Sequence, residues 1–110
     1  MKNMIKDNLV FAVEKSTLRI FIIGEITHKT AANMREKIDG KIGELSPKKV
    51  VLDLSQLNFM DSSGVGLIIG RKRALQEIPA ELVIENPSTP IFKLIKAAGM
   101  DQIIKIEDPI

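Results

Sequence analysis

The stretch from Lys48 to Leu75 constrains this chain more than any other. It contains Val50-Val51-Leu52-Asp53-Leu54, a short apolar, β-branched run that stops at polar turn residues, as a buried strand does. Phe59-Met60 then leads into Asp61-Ser62-Ser63-Gly64. Beyond it, apolar residues fall at Val65, Ile68, Ile69 and Leu75, a helical spacing. A strand therefore delivers a pair of serines to the first turn of a helix. Unpaired N–H groups and the helix dipole favour negative charge there, so a hydroxyl at that place can carry a phosphate without strain.

At 110 residues the chain is expected to be one domain, 1–110, with a single core. Its net charge of +2 is small and its basic residues are scattered, which argues against a nucleic-acid partner. Four Phe with no Tyr or Trp offer no platform for stacking bases. Without cysteine there is no disulfide, no thiolate nucleophile and none of the common zinc sites, so no metal site is expected. The N-terminus Met1–Asp7 lacks the apolar run of a secretory signal, and Ile20-Phe21-Ile22-Ile23 is far too short to span a bilayer. A cytoplasmic protein with no membrane partner is the expectation.

Ahead of the central unit, Leu9–Glu14 and Leu18–Ile23 have strand propensity and flank Lys15-Ser16-Thr17, which predicts a β-hairpin. The second strand is apolar almost throughout, so burial on both faces is expected. Gly24–Thr30 then reads as a turn into a helix whose stripe is Ala31, Met34, Ile38, Ile42 and Leu45. Thr27 and Thr30 compete as its N-cap, and Ser46-Pro47 ends it. The helix of the central unit should run to about Ile78-Pro79, followed by a strand at Glu81–Glu85. Asn86-Pro87-Ser88-Thr89-Pro90 opens a last helix with Ser88 as cap; Ile91, Leu94, Ile95 and Ala98 are expected to face the core, and Gly99 to end the helix. Ile103–Ile106 should be an edge strand and Glu107–Ile110 a tail. Alternating strands and helices after a hairpin predict an α/β fold with a mixed, mostly parallel sheet. The loops holding Thr27-His28, Asp61-Ser62-Ser63 and Asn86-Ser88 then gather at the carboxyl ends of the strands, where such sheets bind ligands and partners.

Each candidate carries a plain structural reading beside the chemical one. Ser63 is either a phosphate acceptor or a capping serine; Ser62 is the second acceptor candidate, and the N-cap if the helix starts at Ser63. Asp61 either complements the helix N-terminus or contacts the acceptor hydroxyl or a partner's basic group. Gly64 and Gly66 either admit a kinase or let the helix pack closely; with Gly70 they miss a dinucleotide fingerprint by one position. His28, the only histidine, raises a Ser–His hydrolase, but the Gly-x-Ser-x-Gly elbow is absent and Asp61 is too near Ser63 in sequence to be an obvious histidine orienter.

Val50–Leu54 followed by Phe59–Gly66 resembles the signature of the STAS domain, in particular that of the anti-sigma factor antagonists of spore-forming bacteria. The resemblance covers nearly the whole chain and implies the STAS fold, with Ser63 as the phosphorylated serine. It implies partner contact through the loops carrying Thr27, Asp61, Ser62, Ser63, Gly64 and Asn86. That partner would be an anti-sigma factor that is also a serine kinase; ATP and Mg²⁺ would be its own, leaving this chain without a cofactor. The unphosphorylated antagonist would bind it and release a sigma factor, phosphorylation would end the binding, and a phosphatase would restore it. The chain would be a substrate rather than an enzyme. One departure stands out: Thr27 occupies a position where the sporulation members commonly carry aspartate. Those members also carry a further C-terminal helix, which a chain ending at Ile110 is expected to lack. The alternatives are a STAS subunit of a stress-signalling or lipid-transport assembly and, behind it, the hydrolase.

Overall fold

The N-terminal part is an antiparallel meander of β1 (Met4–Lys6), β2 (Leu9–Glu14) and β3 (Thr17–Ile22). The computed structural model describes residues 4–6 and 8–107, so the expected tail beyond Glu107 lies outside the described residues. β2 and β3 form the expected hairpin, with Glu14 opposite Thr17, leaving only Lys15 and Ser16 in the turn. Lys15 takes a φ of 55°, the left-handed backbone that short hairpin turns use.

The chain continues through β4 (Gly24–Ile26), α1 (Ala31–Leu45), β5 (Lys49–Asp53), β6 (Leu57–Met60) and α2 (Ser62–Leu75). It ends with β7 (Glu81–Glu85), α3 (Thr89–Ala97) and β8 (Lys105–Glu107). The main sheet runs β1-β2-β3-β5-β7-β8. It is antiparallel up to β3 and parallel from β3 onward, the mixed α/β sheet expected. β4 and β6 pair in parallel as a separate two-stranded sheet. Gly24–Ile26 read as a turn because three residues are too few to show a period.

Burial along β3 alternates: Leu18, Ile20 and Ile22 are fully buried, whereas Thr17, Arg19 and Phe21 are half-buried. This corrects the expectation of burial on both faces. Leu18, Ile20, Ile22, Leu52 and Ile84 share one core with Met34, Ile38 and Ile42 of α1, Leu67, Ile68 and Leu75 of α2, and Ile91 and Ile95 of α3. All three helices therefore cover the same face of the sheet. The intervening strand positions, including Arg19, Asp53 and Glu85, point to the other side.

The helix ends follow local chemistry. Ser88 caps α3 through its Oγ, which accepts from the Ile91 N–H at 3.4 Å, and Gly99 takes a φ of 74° beyond its end. Two details differ from expectation. Ala98 is exposed rather than core-facing, because α3 is already ending there. Met100–Gln102 form a short 3₁₀ turn, so the last strand begins at Lys105 and leaves Ile103 exposed.

Candidate functional site

The site is built at the start of α2. Met60 is buried at the end of β6, and Asp61 follows with an extended backbone (φ −101°, ψ −164°). That geometry makes Asp61 the N-cap: its Oδ1 accepts from the Ser63 N–H at 2.8 Å and its carbonyl accepts from the Gly64 N–H at 2.9 Å. The cap is therefore one residue earlier than Ser62, and a carboxylate does better there because its charge also complements the helix dipole. Ser62 stands exposed at the first helical position and Ser63 half-buried at the second. A Cβ added at Gly64 would lie 2.7 Å from Met60 Cβ and Sδ, so this glycine lets the helix press onto the strand before it. The same addition at Gly66 or Gly70 meets nothing within 4 Å.

The Asp61 N–H donates to the Ile26 carbonyl at 3.2 Å, which brings the loop after β4 beside the loop after β6. In that first loop both threonines act. Thr27 Oγ1 accepts from the Lys29 N–H at 3.3 Å, while Thr30 Oγ1 accepts from the Thr27 N–H at 2.9 Å. The Thr30 contact is one half of a capping box, in which the later side chain accepts from the N–H three residues before it; the Thr30 N–H itself donates to the Thr27 carbonyl at 3.0 Å. Thr27 caps the entering turn, and Thr30 stands at the boundary of the regular helix.

Asn86 is held elsewhere. Its backbone is left-handed (φ 57°) and its Nδ2 donates to Asp53 Oδ2 at 3.2 Å. Arg19 Nη1 donates to the same Oδ2 at 3.2 Å and to Glu85 Oε1 at 2.7 Å, and Asp53 Oδ1 accepts from the Ser55 N–H at 3.0 Å. The Glu85 hydrogen bond raises the Arg19 pKa against the opposing effect of burial. Sequence reasoning missed this network; its signal was an acid, Asp53, at the end of an apolar strand.

A cleft of about 380 Å³ separates α1 from α2, lined among others by His28, Arg35, Ser63, Gly66, Gly70 and Arg71. The structure thus brings His28 and Ser63 to one cleft, while Asn86 is not among its lining residues. A hydrolytic triad is not assembled: among the described residues His28 makes no hydrogen bond to Ser63 or to Asp61, whose Oδ1 accepts from the Ser63 N–H. The arginines were not anticipated. The Arg71 side chain is only 8% exposed, its Nε lies 2.9 Å from Asp39 Oδ1, and its Nη1 has no hydrogen-bond partner. Nε sits at ion-pair distance from Asp39 without hydrogen-bond alignment. Burial lowers the Arg71 pKa, Asp39 opposes that, and Arg35 adds like-charge repulsion. Among the described residues no group of three His, Cys, Asp or Glu is placed to hold a metal ion. No helix among them is long and apolar enough to cross a membrane.

Known proteins resemble this chain in sequence and in fold. The chain is 34% identical over 88 residues to the anti-sigma F factor antagonist of Lysinibacillus sphaericus, covering 80% of this chain and 75% of that one. It is 31% identical over 90 residues to the anti-sigma-B factor antagonist of Listeria monocytogenes, covering 81% and 77%. Among solved structures it resembles the anti-sigma factor antagonist SpoIIAA at 29% identity. The unphosphorylated form superposes with a TM-score of 0.72 over 91% of this chain and 87% of that one. The phosphorylated form, from Bacillus, gives 0.70 over 91% of each. The STAS domain model matches residues 8–110, and with that the chain belongs to the STAS domain family.

Proposed function

We propose that this STAS domain is an anti-sigma factor antagonist switched by phosphorylation of Ser63. The observation that carries the reading is the Asp61 cap. It draws the Ser63 N–H into a 2.8 Å hydrogen bond and sets Ser63 in the first turn of α2, at the mouth of a cleft that also holds two arginines. Negative charge on that first turn is favoured by the helix dipole. The relatives support the class of function, being named antagonists of anti-sigma F and anti-sigma-B factors.

In this reading the unphosphorylated chain binds an anti-sigma factor, which releases its sigma factor. The anti-sigma factor is also the kinase, and it brings the ATP and Mg²⁺. A phosphatase resets the switch. The chain is the substrate of both and no enzyme itself, and it works in the cytoplasm where sigma factors act. The partner surface comprises Thr27, Asp61, Ser62, Ser63, Gly64 and the loop at Asn86.

The test is Ser63→Ala with the cognate kinase and ATP. Phosphate incorporation is expected to vanish while binding to the kinase persists, because the loop that docks is intact without the hydroxyl. Undiminished incorporation in this variant would transfer the acceptor role to Ser62. A second variant, Thr27→Asp, restores the carboxylate that sporulation members commonly carry. Its melting temperature should stay within a few degrees, since both residues cap well. Its affinity for the kinase should change if Thr27 touches the partner, and an unchanged affinity by titration calorimetry would leave Thr27 a cap alone.

A further inference from the structure

The three glycines of α2 do not share one explanation. Gly64 is required by its contact with Met60, but neither Gly66 nor Gly70 has a neighbour that a methyl group would disturb. Both weaken a helix interior relative to alanine, and both line the α1–α2 cleft. What they keep open is the space in front of Arg71. That side chain is more than nine-tenths buried, its Nη1 is unpaired, and among the described residues its ion-pair partner is Asp39, itself 43% exposed. Arg35 stands beside it with the same sign, on the exposed rim. A buried cation so poorly compensated is an incentive for an anion to enter. The match is best for an oxyanion, which guanidinium forks bind by paired, charge-assisted hydrogen bonds.

We propose that the cleft between α1 and α2 is an oxyanion site that receives a phosphate group, with Arg71 as its fixed cation and Arg35 as the mobile one at the rim. Two sources supply that chemistry. One is a free phosphorylated molecule. The other is Ser63 itself once phosphorylated, since it lines the same cleft; this second source alone rests on the reading of Ser63 as acceptor. Phosphate bound here would tie α1 to α2 next to the switch.

The experiment titrates the unmodified protein with inorganic phosphate, against sodium chloride at matched ionic strength, while following the arginine Nε–H signals and the Gly66 and Gly70 amides. Saturable shifts centred on Arg71, Gly66 and Gly70 are expected with phosphate and not with chloride. Arg35→Gln, at an exposed position that leaves folding alone, should weaken the affinity by about tenfold. Gly70→Leu should abolish it by filling the cleft, with far-ultraviolet dichroism confirming the fold. Shifts equal in phosphate and chloride, or an affinity that both variants leave unchanged, would overturn the site. Repeating the titration on protein phosphorylated at Ser63 separates the sources. Loss of the phosphate response identifies Ser63 as the occupant, and its retention identifies a free ligand. A chain that takes no phosphate on Ser63 removes the switch reading but not the site, which the unmodified protein tests by itself.

Discussion

Phosphorylation of Ser63 is expected to lower affinity for the anti-sigma factor a hundredfold or more, with no rearrangement of the sheet. The modification adds about −1.5 to −2 charges at neutral pH, which brings the formal net charge of +2 close to zero. The local change is far larger in proportion, because the new dianion stands two residues from the capping carboxylate of Asp61. A partner fitting closely over this turn must strip the water from that charge. Leaving it badly paired in an interface costs several kcal/mol, against about 1.4 kcal/mol for each tenfold in affinity. The fold has no cause to move, since the phosphate sits where helix N–H groups already favour negative charge. Calorimetric titration of both forms with the kinase measures the affinity, and amide spectra measure the fold. Shifts confined to the Thr27, Ser63 and Asn86 loops and the cleft agree with the expectation. Shifts spread through the main sheet and along α1 would refute it.

The parts of this molecule that were legible in its sequence are those set by local chemistry. The hairpin, the α1 stripe of Met34, Ile38 and Ile42, the Ser88 cap and the Gly99 stop each need only a few neighbouring residues to specify them. The small sheet was not legible, because three residues of β4 meet β6 across some thirty positions and neither strand shows a period of its own. Phe59 follows from that: the apolar pair Phe59-Met60 is split, Phe59 being 49% exposed on this two-stranded edge while Met60 is buried. At the site, the cap was misplaced by one residue, since Asp and Ser both cap well and backbone geometry decides between them. Arg71 was legible in principle. Leu67, Arg71 and Leu75 step by four, so the helical phase puts this arginine on the buried stripe while Arg73 is exposed. A charged block at a helix end hides that phase, and only the packing of α1 against α2 reveals it.

Asp53→Ala is expected to destabilise the domain by about 2–3 kcal/mol, a large share of the roughly 5–15 kcal/mol that holds a domain of this kind together. Asp53 is 4% exposed and its two oxygens join three separate elements. They hold Arg19 from β3, Asn86 from the β7–α3 loop and the Ser55 N–H at the turn toward β6. Truncation leaves those donors without the carboxylate, and removing one partner of a fully buried pair costs about 3–5 kcal/mol. The figure here is lower because Arg19 is 34% exposed and keeps Glu85 at 2.7 Å. For a domain near 100 residues the corresponding fall in melting temperature is about 10–20 °C. Glu85→Gln should cost less than about 1 kcal/mol, although its contact with Arg19 is the shorter one, because it serves a single, partly solvated donor. Urea and thermal denaturation of the two variants decide the matter. A Glu85→Gln loss equal to that of Asp53→Ala would mean that the Arg19–Glu85 pair, and not the buried carboxylate, holds this end of the sheet. If Asp53 is the hub, its removal should also speed amide exchange at Ser55, because the acceptor of that N–H is gone while the ladder between β5 and β7 stays paired.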